Sequence, residues 1–178
     1  MGAGQGAKNV FGVIMGTGVG GGVVVDGRVL NGLQGIAGEW GHNVLDQQGP
    51  ACYCGKSGCV EKIISGPATE LFYKQRSGQE RRLSEIVELH RSGKDAVATE
   101  TITRLSTWFG RAITVVINIL DPEMVVLGGG VSNVDELYTI GIEEAKRAVF
   151  NNRLETPIVR NKLGDSAGVF GAALLTQE

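Results

Sequence analysis

The chain has 178 residues, with 17 Lys and Arg against 19 Asp and Glu and a formal net charge of -2. That length is ample for one domain with a real core, and the near balance of charge, without a dense basic stripe, excludes an electrostatic grip on nucleic acid or on an anionic membrane. No apolar run reaches the length of a bilayer span and residues 1–8 contain no apolar signal core, so the expected compartment is the cytoplasm.

Val10 to Met15 is a short apolar run ending in glycines, and Val23-Val24-Val25, Asp26-Gly27 and Arg28-Val29-Leu30 read as strand, turn and strand. Residues 31–61 lack periodicity and are rich in Gly, Asn, Gln and Cys, which predicts an irregular, ligand-bearing loop. Ser65-Gly66-Pro67 opens a helix through Tyr73, with Pro at the first helical position, and Ser84 is the expected cap of a second, Glu85 to Arg91, stopped by Gly93. From Asp95 to Leu120 the apolar residues recur at the three-and-four spacing of an amphipathic helix, which Asp121-Pro122 ends. Met124 to Leu127 predicts a buried strand running into Gly128-Gly129-Gly130. Ser132 is the expected cap of a helix reaching about Phe150, Thr156 to Arg160 a further strand and Ala167 to Leu175 a small-residue helix. This order of elements predicts an α/β fold without repeats or long linkers.

Glycine, at 28 residues, is about twice its usual share of roughly 7%, and it clusters, so the clusters mark where backbone can approach a ligand. Gly16-x-Gly18-x-x-Gly21 has the spacing of a dinucleotide fingerprint, but that motif needs a helix to follow, and three β-branched residues follow instead. The run is either a glycine-rich hairpin that holds phosphates through its amides and Thr17, or a hairpin tip shaped by glycine alone. Gly55-Lys56-Ser57 imitates the end of a P-loop, yet Pro50 stands where that motif requires another glycine.

The strongest signal is His42, Cys52, Cys54 and Cys59, with all three cysteines of the chain inside eight residues. Three thiolates and one imidazole complete a tetrahedral Zn²⁺ shell, which predicts a closed structural site, while the odd count disfavours disulfides. Glu39 and Glu61 flank this cluster and are either acceptors for several sugar hydroxyls or solvated surface acids; His90 reads as ordinary surface.

Gly38-Glu39-Trp40-Gly41-His42, Cys52-Tyr53-Cys54-Gly55-Lys56-Ser57-Gly58-Cys59-Val60-Glu61 and Ser65-Gly66 closely resemble the ROK family of bacterial sugar kinases and sugar-responsive repressors, and the likeness runs from about Phe11 to Leu175. The resemblance implies a ribonuclease-H-like, actin-type ATPase lobe. It implies ATP with Mg²⁺ as cosubstrate, with Gly16, Thr17, Gly18 and Gly20 at the phosphates and Gly128, Gly129 and Gly130 on the adenosine side. It further implies that Glu39, His42 and Glu61 bind the sugar, His42 serving metal and sugar through different ring nitrogens, and that the protein is a homodimer. Family kinases carry a first phosphate loop and a general-base Asp in an N-terminal lobe. Neither matches this chain, so residues 1–178 are expected to be the larger C-terminal lobe, with the base upstream of residue 1. The expected activity is phosphorylation of a hexose of the glucokinase or fructokinase type; the alternative is the inducer-binding lobe of a repressor whose separate domain reads DNA.

Overall fold

The computed structural model describes residues 2–151 and 153–164, and its centre is a five-stranded mixed sheet. The strands are β1 (Val10–Met15), β2 (Val19–Val25), β3 (Arg28–Val29), β4 (Met124–Gly128) and β5 (Ile158–Arg160), in the order β3-β2-β1-β4-β5. The first three form an antiparallel meander, and β4 and β5 add in parallel beside β1. Asp26 and Gly27 both have positive φ, 49° and 75°, as the two-residue turn between β2 and β3 requires. The parallel β1–β4 pair needs a crossover, and the chain between them supplies it with the irregular loop and helices α1 (Glu61–Ile64), α2 (Gly66–Ser77), α3 (Leu83–Ser92) and α4 (Ala96–Leu120). Helix α5 (Ile140–Ala148) then leads to β5.

Alternation along the strands sends Phe11, Val13 and Met15 of β1, with Val125 and Leu127 of β4, into one core. The buried stripe of the 25-residue α4, including Ile102, Leu105, Phe109 and Ile113, closes that core, and Asp95 caps the helix by accepting from the Ala98 N–H at 2.9 Å. Asp121 ends it in the left-handed conformation.

Two expected caps are corrected. Helix α3 begins at Leu83, not after Ser84, because the Glu85 carboxylate accepts from Arg82 N–H (2.8 Å) and Glu70 accepts from Leu83 N–H (2.9 Å), satisfying the first donors without Ser84. Ser132 does not open a long helix: it lies inside a short 3₁₀ turn (Gly130–Asn133) with its hydroxyl donating back to the Gly129 carbonyl (2.7 Å), a second such turn follows at Asp135–Tyr138, and α5 starts only at Ile140. Pro67 sits one residue inside α2 after Gly66, with Ser65 as the cap. The segment Ala167 to Leu175 lies outside the described residues.

Candidate functional site

The site is built around the tip of the β1–β2 hairpin. Met15 pairs with Val19, leaving Gly16-Thr17-Gly18 as the connection, and a strand follows, so the dinucleotide reading fails for the reason its sequence gave. The start of α2 docks on this tip through Gly66 N–H to Gly16 O at 2.9 Å. That helix end offers no free amide, since Pro67 has none and Ala68 N–H goes to Ser65 Oγ (3.3 Å). Gly16 N–H is taken up within the turn by Gly18 O (2.9 Å), so the groups left to meet a phosphate are the Thr17 and Gly18 amides and the Thr17 hydroxyl.

Gly16, Thr17 and Gly130 line one cleft of about 690 Å³, with Leu83, Val87 and Val134 among its walls. Its size and largely apolar walls suit a nucleoside. Gly130 reaches the cleft because Gly129 turns the chain at φ 78° over the end of β1, where a Cβ would collide with the Met15 carbonyl. The remaining glycines lie elsewhere. Gly18 abuts Glu61, with Oε2 only 2.7 Å from where a Cβ would stand, and Gly20 and Gly128 line a separate concavity of about 530 Å³ that also contains Glu39. Gly20 O accepts the Trp40 indole N–H at 2.9 Å, and Trp40 packs edge-on against Phe11. Of the β2 glycines it is Gly21 that admits Trp40, whose ring and that of Phe11 would meet a Cβ there within 3 Å.

The cysteine loop brings its four candidate ligands together. One donor atom from each of His42, Cys52, Cys54 and Cys59 lies within 4.8 Å of the others. Cys54 Sγ to Cys59 Sγ is 3.5 Å and Cys52 Sγ to His42 Nδ1 is 3.6 Å. Tetrahedral Zn²⁺ with ordinary bond lengths has edges of about 3.8 Å between sulfurs and about 3.6 Å between sulfur and nitrogen, so the donor set fits such a cation. Its thiols differ: the Lys56 backbone N–H lowers Cys54 to about 7, whereas burial pushes Cys59 up to about 12. The loop's backbone closes on itself through Cys52 N–H to Lys56 O (2.7 Å) and Gly58 N–H to Pro50 O (2.8 Å), and Gly58 has φ 68° where any Cβ would strike the Asp46 carbonyl. Lys56, in the false P-loop end, donates to the His42 carbonyl at 2.9 Å.

Backbone pairing joins this cluster to Glu61. Val44 bridges Cys59 in antiparallel fashion and Val60 N–H donates to Asn43 O (2.9 Å), which pairs the segment after His42 with the segment before Glu61. Glu61 Oε2 accepts from Val19 N–H at 3.1 Å, which ties the carboxylate to the hairpin. It is no solvated surface acid. Tyr53, which no sequence pattern singles out, places its hydroxyl 2.9 Å from His42 Nε2. Desolvation first, and then the negative charge of Glu61, with Glu39 contributing least, raises the pKa of this phenol. His90 is more engaged than surface position implies, contacting Thr99 Oγ1 (3.2 Å) and Glu136 (3.5 Å), with its side chain 20% exposed.

A 3-2-1-4-5 mixed sheet with a glycine turn at its first hairpin and helices on the crossover is the actin-like ATPase architecture. The sequence pattern of the ROK family matches residues 1–178, and the chain belongs to that family. It is 36% identical to an N-acetyl-D-glucosamine kinase of Photobacterium profundum, over 96% of this chain and 59% of that protein. Among solved structures it superposes on a ROK family glucokinase from Streptomyces griseus in complex with glucose and AMPPNP, with TM-score 0.88 and 30% identity, covering 97% of this chain and 62% of that one. It also superposes on a ROK family transcriptional regulator, a homologue of the E. coli MLC protein, with TM-score 0.80 and 29% identity, covering 99% of this chain and 48% of that one. The chain thus spans about 59% of the kinase relative's length. Among the described residues no helix is long and apolar enough to cross a membrane.

Proposed function

We propose that residues 1–178 are the larger, C-terminal lobe of an ATP-dependent hexose kinase. The observation that carries this reading is the position of Glu61, tied by Val19 N–H to the hairpin whose tip lines the nucleotide-sized cleft and two residues beyond Cys59 of the metal-type cluster. One carboxylate thereby links a hydroxyl-binding face to a phosphate-binding turn. His42, Cys52, Cys54 and Cys59 would hold Zn²⁺, which in a closed shell supplies rigidity rather than a reacting group. Gly16, Thr17 and Gly130 belong to the nucleotide site, and Glu61, Glu39 and His42 to the sugar site. Transfer of the γ-phosphoryl group is a matter of positioning and charge, with Mg²⁺ on the phosphates and a general base contributed by the other lobe. Kinase relatives of N-acetylglucosamine and of glucose support a gluco-configured hexose or its N-acetylated amine.

The similarity to a transcriptional regulator supports a second reading, a sugar sensor. A sensor needs the cysteine loop and Glu61 but not the cleft. The test is Glu61→Gln in the whole protein: sugar affinity or kcat/KM should fall about tenfold to a hundredfold, as for a lost charged acceptor, with zinc content and ATP affinity unchanged. Unchanged sugar affinity would defeat the assignment of Glu61, and a wild-type protein that binds sugar but no ATP would favour the sensor. Residues 1–178 alone should phosphorylate neither glucose nor N-acetylglucosamine; turnover by this chain would defeat the two-lobe reading.

A further inference from the structure

Tyr53 stands between two metal-type donors, at a corner of the tight turn closed by Gly55 N–H to Cys52 O (3.0 Å). The residue is 80% exposed, yet its hydroxyl meets His42 Nε2 at 2.9 Å, and its ring stands edge-on to the imidazole with centroids 5.0 Å apart. An exposed phenol can always bind water, so a directed contact with one ring nitrogen reflects a geometry that the turn imposes. The two nitrogens of His42 are divided between neighbours, Nδ1 facing Cys52 Sγ and Nε2 facing Tyr53. Once Nδ1 gives its lone pair to a cation, the proton of the neutral ring must sit on Nε2, and the Tyr53 oxygen accepts it.

We infer that Tyr53 is a positioning residue for both halves of the site: without sugar its hydroxyl holds His42 in the Nε2–H form that leaves Nδ1 to the metal, and it yields that N–H to an arriving sugar hydroxyl. The inference rests on the metal and sugar reading above and adds a competitor inside it. One N–H cannot serve two acceptors fully, and a side chain already mostly exposed swings into water at little cost. Such outer partners of a metal-bound imidazole set its orientation and affinity.

Tyr53→Phe keeps the ring and removes the hydroxyl. In the whole protein, chelator competition without sugar should show zinc affinity lowered about tenfold, while calorimetric titration of the zinc-loaded variant with glucose and with N-acetylglucosamine should show affinity for the preferred sugar raised about threefold to tenfold. Saturating sugar should return the zinc affinity of the variant towards that of the wild type, because the coupling is reciprocal. The melting temperature of the metal-free variant should not move. Zinc and sugar affinities both unchanged, or both weakened, would overturn the inference, since a merely structural tyrosine cannot move them in opposite directions. A wild-type protein that takes up no zinc would overturn the metal reading and this inference with it. Zinc uptake without binding of either sugar would instead overturn the sugar reading and the competition.

Discussion

The cysteine loop and the nucleotide-sized cleft meet at one hairpin tip, where Gly16 and Thr17 line the cleft and Gly18 and Val19 touch Glu61, yet they keep their shapes by opposite means. Between His42 and Glu61 there is no regular strand, and Tyr53, Cys54, Gly55 and Lys56 are exposed, so local backbone bonds and the four donors must fix the loop. The cleft instead takes its walls from elements rooted in the core, with α3 anchored by the fully buried Ile86 and the turn after β4 by Val131. A region of the first kind depends on what its donors bind, and one of the second kind on burial. Perturbing each should therefore leave the other largely intact.

The largest effect that would break or confirm this separation is Cys54→Ser. Cys54 is exposed, so the change costs little packing, but it opens a closed shell. Zinc content should fall from about one equivalent to a small fraction, and the melting temperature of the zinc-loaded protein should drop with it. Affinity for a nonhydrolysable ATP analogue should stay within about twofold, well under the factor of ten that 1.4 kcal/mol represents. Metal analysis that finds no zinc in wild-type protein prepared without chelators would remove the metal from the comparison altogether.

A pair of glycine substitutions sharpens the contrast. Gly58→Ala and Gly129→Ala each force a side chain into the left-handed region and against a backbone carbonyl, of Asp46 and Met15 respectively. Each should cost about 3 kcal/mol by denaturant titration. Gly58→Ala should release zinc more readily with nucleotide affinity retained, and Gly129→Ala the reverse. If both variants lost both ligands equally, the two regions would be one cooperative unit.

The smallest change tests the scaffold beneath both. The buried Tyr73 of α2 donates to the Asp95 carboxylate at 2.7 Å, and that bond, with the Ala98 N–H, holds the Asp95 pKa below its ordinary value of 3.8. A carboxylate whose folded pKa is depressed contributes stability above its unfolded pKa and loses it as pH falls through the folded one. Tyr73→Phe should therefore cost about 1.5 kcal/mol at pH 7, with the gap from wild type constant down to about pH 5 and closing below about pH 4. Zinc and nucleotide affinities should be unaffected. A gap that persisted unchanged at pH 3 would assign the loss to packing instead of to the charge.

What the sequence determined by itself is what neighbouring residues decide among themselves. Asp26-Gly27 can accept positive φ, Gly93 and Asp121 end helices, the apolar spacing of residues 96–120 suits only a helix, and four ligands of the right type lie within eighteen residues. The glycine run was legible as a hairpin for the same reason, since three β-branched residues follow it. What only the tertiary structure decided is which way each of those residues faces. Gly16 and Gly20 belong to one run, but pleat and register send one to the cleft and the other to the Trp40 indole. The two ends of the cysteine loop are paired by a bridge between Val44 and Cys59, and Glu61 is tied to Val19 of the hairpin, neither of which a spacing rule reveals. Ser84 and Ser132 do not cap the helices their sequence suggests, because Glu85 and the more distant Glu70 satisfy the first donors of α3 and Ser132 turns back on Gly129 within a 3₁₀ turn. An aromatic between two cysteines has no sequence pattern of its own; the contact of Tyr53 with His42 follows from the turn that aims it. Capping, turn and ligand chemistry act over a few residues, whereas facing depends on register and helix docking between segments tens of residues apart, so the first could be read along the chain and the second could not.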